Sequence, residues 1–193
     1  VSVIEKYIIL ILSYILGSIP FSSIITRIKG INLREIGSGN IGATNVARTG
    51  NKKLAALALF LDSLKGFIAV YVTQQFSDSD TYISAILVVL GHMFPIWLKF
   101  NGGKGVATTL GILIALNTYV TLVFTFIWLA AFSTFRYSSL ASLISTTTAV
   151  IAALFFQREL FFALLTIAIL IFLKHHKNIV NLLQNKEYKF YKW

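Results

Sequence analysis

Three short stretches of this chain combine glycines, small polar side chains and cations in a way suited to gripping an anion such as phosphate. The first reads Gly37-Ser38-Gly39-Asn40-Ile41-Gly42-Ala43-Thr44-Asn45-Val46-Ala47-Arg48. Glycines let successive backbone N–H groups approach an anion closely, and a helix N-terminus behind them adds a favourable dipole. Ser38, Asn40, Thr44 and Asn45 add neutral donors, and Arg48 offers a bidentate fork. Residues 37–42 also fit the dinucleotide pattern G-x-G-x-x-G. That pattern needs a preceding strand and a βαβ unit, which an all-helical membrane chain does not supply. The second stretch is Gly91-His92-Met93-Phe94-Pro95, followed by Phe100-Asn101-Gly102-Gly103-Lys104-Gly105-Val106-Ala107-Thr108. It lacks the Lys-Ser or Lys-Thr pair and the full spacing of a nucleotide P-loop, so ATP hydrolysis is not supported. Gly102, Gly103 and Lys104 leading into an apolar helix still suit a single phosphate; the alternative is a basic loop that anchors topology. The third stretch is Lys174-His175-His176-Lys177-Asn178-Ile179, where a surface histidine can shuttle protons near neutral pH. Its alternative is a solvated tail.

Other polar residues suggest structural roles. Asp62 and Lys65, three apart on one helical face, are expected to pair, because a lone charge in lipid is costly. His92 lies in or near a span, either as a functional group or as a hydrogen-bonded structural histidine. Ser139 and Ser142 lie one turn apart; Ser139 is expected to pack helices. Of seven acidic residues only Glu35, Asp62 and Glu187 fall on or near the basic face defined below, which argues against paired-carboxylate and multi-metal chemistry. Two histidines without an acid cluster make a poor metal site, and no metal or cofactor is expected. With no cysteine, thiolate and disulfide chemistry is excluded.

The elements that must hold these residues are membrane helices. The chain is 56% hydrophobic and only 12% charged over 193 residues, against about 25% charged in a soluble domain. A spanning helix needs about 20 mainly apolar residues. The stretches 7–25, 54–76, 82–98 and 138–156 qualify or nearly so, and 160–173 qualifies if its flanks are helical. The run 106–135 has 30 uncharged residues; as one straight helix it would reach about 45 Å across a core of about 30 Å. A tight turn at its most polar point, Asn117-Thr118-Tyr119, predicts seven transmembrane helices. Residues 7–25 are too long for a signal-peptide core and are expected to remain as the first span.

Charge sets the expected orientation. With seven spans, segments 27–53, 99–104, 136–137 and 174–193 share one face and hold 14 of the 17 Lys and Arg residues. Basic residues favour the cytoplasmic side, so the N-terminus is expected outside and the C-terminus in the cytoplasm. The net charge of +10 then reflects topology and anionic ligands rather than nucleic acid. No stretch leaves room for a separate soluble domain, so residues 1–193 read as one membrane domain.

Taken together, GSGNIGATNVAR at 37–48, GHMFPIWLKFNGGKGVAT at 91–108 and KHHKNIVNLLQNKE at 174–187, with LDSLKG at 61–66 and RYSSLAS at 136–142, resemble the bacterial acyl-phosphate:glycerol-3-phosphate acyltransferase family. The elements occur in family order and span most of the chain. The resemblance implies a seven-helix inner-membrane enzyme transferring an acyl group from acyl phosphate to the 1-hydroxyl of glycerol 3-phosphate, giving 1-acyl-glycerol 3-phosphate (lysophosphatidic acid) and inorganic phosphate. It implies that Ser38 and His175 lie closest to the reaction, and that Arg48, Lys104, Ser142 and Asn178 contact phosphate and glycerol, with Gly37, Gly39, Asn40, Thr44, Asn45, Gly102 and Gly103 completing the substrate site. The chain departs from the family pattern at Asn101, Lys174, Asn181 and Asn185, where lysine, arginine, arginine and glycine are usual.

Both implied substrates are anionic, so the expected site lies at the cytoplasmic surface, with helices receiving the acyl tail. None of His92, His175 or His176 has an aspartate five positions on, so the His-x-x-x-x-Asp device of other glycerol-phosphate acyltransferases is absent. Proximity and charge stabilisation are expected to carry most of the rate. A transporter of organic phosphates is the rival reading; it predicts discontinuous helices with polar residues at the midplane.

Overall fold

The computed structural model describes residues 2–190, and the regular structure among them is helical. Lys192, counted above with the C-terminal basic segment, lies outside the described residues. The chain forms two compact units that divide between Leu116 and Asn117.

In the first unit, α1 (Val3–Ser18) opens on a capping box. The Ser2 hydroxyl accepts from the Glu5 N–H, and the Glu5 carboxylate accepts from the Ser2 N–H. The expected first span is not one continuous helix. It breaks at Ile19-Pro20 and resumes as α2 (Phe21–Arg27), because proline has no N–H to donate and its ring crowds the preceding turn. A 3-10 turn at Leu33–Glu35 and a glycine-rich loop lead to α3 (Ala43–Ala47), then to the long α4 (Lys52–Phe76), capped by the Asn51 side chain at the Leu54 N–H. The unit continues with α5 (Thr81–Met93), a 3-10 turn at Ile96–Leu98, and α6 (Val106–Leu116). α1 packs on α5, and α4 packs on α5 and α6. Gly17 and Gly91 allow the α1–α5 crossing: a methyl group on either would collide with backbone of the other helix. Close backbone approach through small residues is how helices associate in lipid, where no hydrophobic gain drives them together.

The second unit holds α7 (Thr118–Phe135), α8 (Ser138–Phe156), α9 (Arg158–Lys174) and α10 (His176–Leu183). The chain leaves helical geometry at Asn117, the polar point singled out in the 30-residue run. Asn117 accepts from the Val120 N–H at 3.0 Å and donates to Gln157 at 3.1 Å, so one side chain caps α7 and ties it to the α8–α9 connection. α8 packs on α7 and α9, and α10 on both α8 and α9.

Among the described residues, five stretches are long and apolar enough to cross a membrane: Val3–Arg27, Lys52–Phe76, Asp78–Leu98, Thr118–Phe135 and Ser138–Phe156. A sixth is reached if α9 and α10, bent by 61° at His175, count together. α6, with 11 residues, rises only about 16 Å and is too short to cross alone. The exterior is apolar: Phe126, Phe155 and Phe162 are 71%, 81% and 73% exposed on helix faces. Aromatic side chains this open on several helices indicate a lipid-facing surface.

Candidate active site

The residues singled out from the sequence fall into three local constructions, two in the first unit and one in the second. The first is the loop from Gly37 to Arg48, organised by Asn45. This side chain is buried, and its amide donates to the carbonyls of Leu33 at 3.0 Å and Ile36 at 2.9 Å. Its oxygen accepts from the Ser38 N–H at 3.1 Å, the Ser38 hydroxyl at 3.4 Å and Arg48 at 3.3 Å. One amide therefore fixes Ser38 and Arg48 relative to each other. Gly37 and Gly39 take left-handed conformations, φ +52° and +67°, that let the loop fold around Asn45; a side chain at Gly37 would also strike Asn45 and Arg48. Beneath the loop, Leu33, Ile41, Val46, Leu54 and Ala58 form a small apolar core that anchors it to α4. Gly42, Asn40 and Thr44 are partly exposed on the same loop.

The second construction is the turn carrying Gly102, Gly103 and Lys104. The Gly102 N–H donates to the Met93 carbonyl and the Gly103 N–H to the His92 carbonyl, each at 3.1 Å, pinning the turn across the end of α5. These two N–H groups are thus committed to the protein. Lys104 follows this turn and leads into α6 (Val106–Leu116), whose first N–H groups have no partner within the helix. Arg34 joins the two loops by donating to the carbonyls of Gly39 and Asn101. The Asp62–Lys65 pair forms at 3.0 Å.

The third construction lies around the α9–α10 bend. His175 terminates α9 and starts α10, is buried, and places Nδ1 2.8 Å from the Ile171 carbonyl oxygen. A carbonyl only accepts, so Nδ1 carries the hydrogen and the lone pair of the neutral ring resides on Nε2. Glu187 gathers two further groups: its carboxylate accepts from Asn178 at 2.7 Å and from the Ser139 hydroxyl at 2.8 Å. Ser139 thus does more than pack helices. Ser142 donates to the Ser138 carbonyl at 2.8 Å and accepts from Trp128 at 3.1 Å.

Sequence reasoning assigns no role to the organisers of these sites: Arg34, Trp128 and Glu187. Glu187 carried a signal, as the lone acid in a basic and apolar C-terminal segment. Trp128 carried none in a run of apolar residues, and the α9–α10 bend was hidden because no proline or glycine marks it.

Fold and loops define an integral membrane protein of several helical spans, bearing glycine-rich cationic loops at helix ends. A family model described as glycerol-3-phosphate acyltransferase matches residues 7–185. A glycerol-3-phosphate acyltransferase of Wolbachia pipientis wMel is 76% identical over 191 residues, covering 97% of this chain and 100% of the relative. The protein of that name from Mesorhizobium japonicum is 49% identical over 182 residues, covering 93% of each. A crystal structure of PlsY (YgiH), an integral membrane glycerol 3-phosphate acyltransferase in its glycerol 3-phosphate form, is 39% identical with a TM-score of 0.92 and covers 96% of each chain. The lysophosphatidic acid form of that protein gives 38% identity and a TM-score of 0.90, covering 96% of this chain and 95% of the other. The chain belongs to the glycerol-3-phosphate acyltransferase family.

Proposed function

We propose that this protein transfers the acyl group of acyl phosphate to the 1-hydroxyl of glycerol 3-phosphate, releasing lysophosphatidic acid and inorganic phosphate in the course of phospholipid biosynthesis. The observation that carries this reading is the likeness, over nearly the whole chain, to one enzyme solved in both a glycerol 3-phosphate form and a lysophosphatidic acid form. Those two ligands stand on either side of an acyl transfer to glycerol 3-phosphate.

The residues suit a reaction between two anions. Arg48, Lys104, Ser142 and Asn178 bind phosphate and glycerol, and offset the repulsion between the substrates. Gly37, Gly39, Asn40, Thr44 and Asn45 shape the loop around Ser38, while Gly102 and Gly103 set the position of Lys104. The hydroxyl oxygen attacks the acyl carbonyl carbon. The carbon–oxygen bond to phosphate breaks and its electron pair leaves with phosphate, which also receives the hydroxyl proton. Ser38 and His175 stand nearest these atoms and align or relay that proton. The Nδ1–H bond to Ile171 supports the role of His175, since it leaves basicity on one defined nitrogen.

The proposed setting is a single membrane domain, 1–193, in a bacterial cytoplasmic (inner) membrane, with seven crossings, the N-terminus outside and the site at the cytoplasmic face. Support comes from the 14 of 17 basic residues assigned to that face and from the helix interruption at Asn117. α6 serves as a crossing, with the Gly102–Gly105 turn ahead of it contributing to its length. Purified protein given acyl phosphate is expected to release inorganic phosphate and form lysophosphatidic acid only when glycerol 3-phosphate is also present. Exchange of glycerol 3-phosphate across proteoliposomes with no lysophosphatidic acid formed would support the transporter instead.

A further inference from the structure

A buried polar cluster lies in the first unit, between α2, α4 and α5. Lys65 and Asp62 are each 1% exposed and paired at 3.0 Å. The Ser22 hydroxyl on α2 donates to the other Asp62 oxygen at 2.6 Å, and Lys65 donates at 2.9 Å to the Ile19 carbonyl at the Pro20 break. His92 on α5 brings Nδ1 to 3.6 Å from Asp62. A buried ion pair is a weak device for stability, because removing two charges from water costs about as much as their attraction returns. What this cluster controls is therefore more informative than what it stabilises.

The opposite edge of the His92 ring supplies the answer. A methyl group built on Gly103 would overlap His92 Nε2 and its neighbouring ring carbons. The His92 carbonyl meanwhile accepts the Gly103 N–H. Gly103 does not adopt a positive φ, so its backbone permits a side chain and only the imidazole forbids one. Gly102 differs, since its missing methyl would strike the His92 main chain and Pro95. A continuous line of contacts thus runs from the α2 hydroxyl through the α4 carboxylate and the α5 imidazole to the residue preceding Lys104.

We infer that Asp62, Lys65, Ser22 and His92 are positioning residues that press the His92 ring against Gly103 and so set where Lys104 meets the phosphate of glycerol 3-phosphate. The inference rests on the proposed reading that Lys104 binds that phosphate. A misplacement of about 1 Å transmitted from a distance can cost up to about 10²-fold in enzyme function. Lys104 is read as a group that binds the phosphate rather than one that reacts, so the cluster acts on affinity for glycerol 3-phosphate more than on turnover.

The test is steady-state phosphate release at saturating acyl phosphate with glycerol 3-phosphate varied. Gly103→Ala and His92→Ala are each expected to raise KM for glycerol 3-phosphate about tenfold, with kcat within about threefold of the parent. The double variant His92→Ala with Gly103→Ala is expected to lie closer to the parent than either single variant, because the new methyl occupies space vacated by the ring. Gly102→Ala gains no such rescue from His92→Ala. Additive losses in the Gly103 double variant, or unchanged KM in both single variants, overturn the inference while leaving the acyltransferase reading intact. A parent protein with no glycerol 3-phosphate-dependent release overturns both. If His92→Ala does not fold, Ser22→Ala replaces it: a KM about threefold higher at an unchanged unfolding midpoint is expected, and an unchanged KM refutes the coupling.

Discussion

At the residue scale, the decisive side chains are amides and carboxylates that hold other groups in place. Asn45 satisfies two carbonyls and receives three donors. Asn45→Ala removes one of two donors from each of the Leu33 and Ile36 carbonyls, which keep the Ile36 and Gly39 N–H groups, at about 0.5–1.5 kcal/mol each. It is expected to lower the thermal unfolding midpoint in detergent and to abolish most acyl transfer by freeing Ser38 and Arg48. Asn45→Asp keeps the acceptor oxygen but loses both donors, and its new charge draws Arg48 inward, so glycerol 3-phosphate KM should rise even where folded protein is recovered. For His175, replacement by Ala is expected to cut turnover about 10²- to 10⁴-fold, the range of lost proton-transfer catalysis, with helix content by circular dichroism unchanged. Full phosphate release in that variant would remove His175 from the chemistry. The cations and hydroxyls of these sites were legible in the sequence because glycine, lysine and arginine stand out against apolar runs. The amide hub was not, since an asparagine that contacts a ligand and one that satisfies its own loop look alike in one dimension.

At the scale of elements, helix interruptions create the functional geometry. The break at Pro20 puts the Ile19 carbonyl outside the helix ladder, where it accepts from Lys65 and from the Phe21 N–H, Asn117 ends one helix and caps the next, and the 61° bend between α9 and α10 places His175 at the junction. Proline and asparagine announce the first two breaks by known backbone chemistry. Hydropathy marks 7–25 as a span without showing where it breaks, because it averages over a single proline. The third break has no such marker and is held by packing of α10 against α8 and α9. Two variants probe these joints. Lys65→Met strands the buried Asp62 carboxylate and is expected to destabilise the protein by about 3–5 kcal/mol, whereas adding Asp62→Leu to it should recover most of that loss; chemical denaturation of both variants reads the difference. Glu187→Ala releases Asn178 and Ser139 together and should lower both the unfolding midpoint and turnover. Glu187→Gln keeps an acceptor oxygen for both and should retain most of each.

For the whole molecule, an apolar exterior and helices long enough to cross a bilayer specify an integral membrane protein, and the proposed topology assigns most of its basic residues to the cytoplasmic face. Composition makes the helical membrane class plain, and the charge imbalance supplies an expected orientation, which the labelling below tests. The number of crossings was harder to read, because α6 spans only 11 residues and α9 continues into a bent partner, so length and topology part company there. The proposed reaction requires the Ser38 loop and the His175 bend to meet the same pair of water-borne phosphates, which is possible only from the same side of the bilayer. The chain has no cysteine, so single cysteines at the exposed positions Glu35 and Lys177 can be labelled with a membrane-impermeant maleimide in vesicles of known orientation. Both Glu35→Cys and Lys177→Cys are expected to react from the cytoplasmic side and to stay protected in right-side-out vesicles. Labelling of the two from opposite sides would contradict a shared active site.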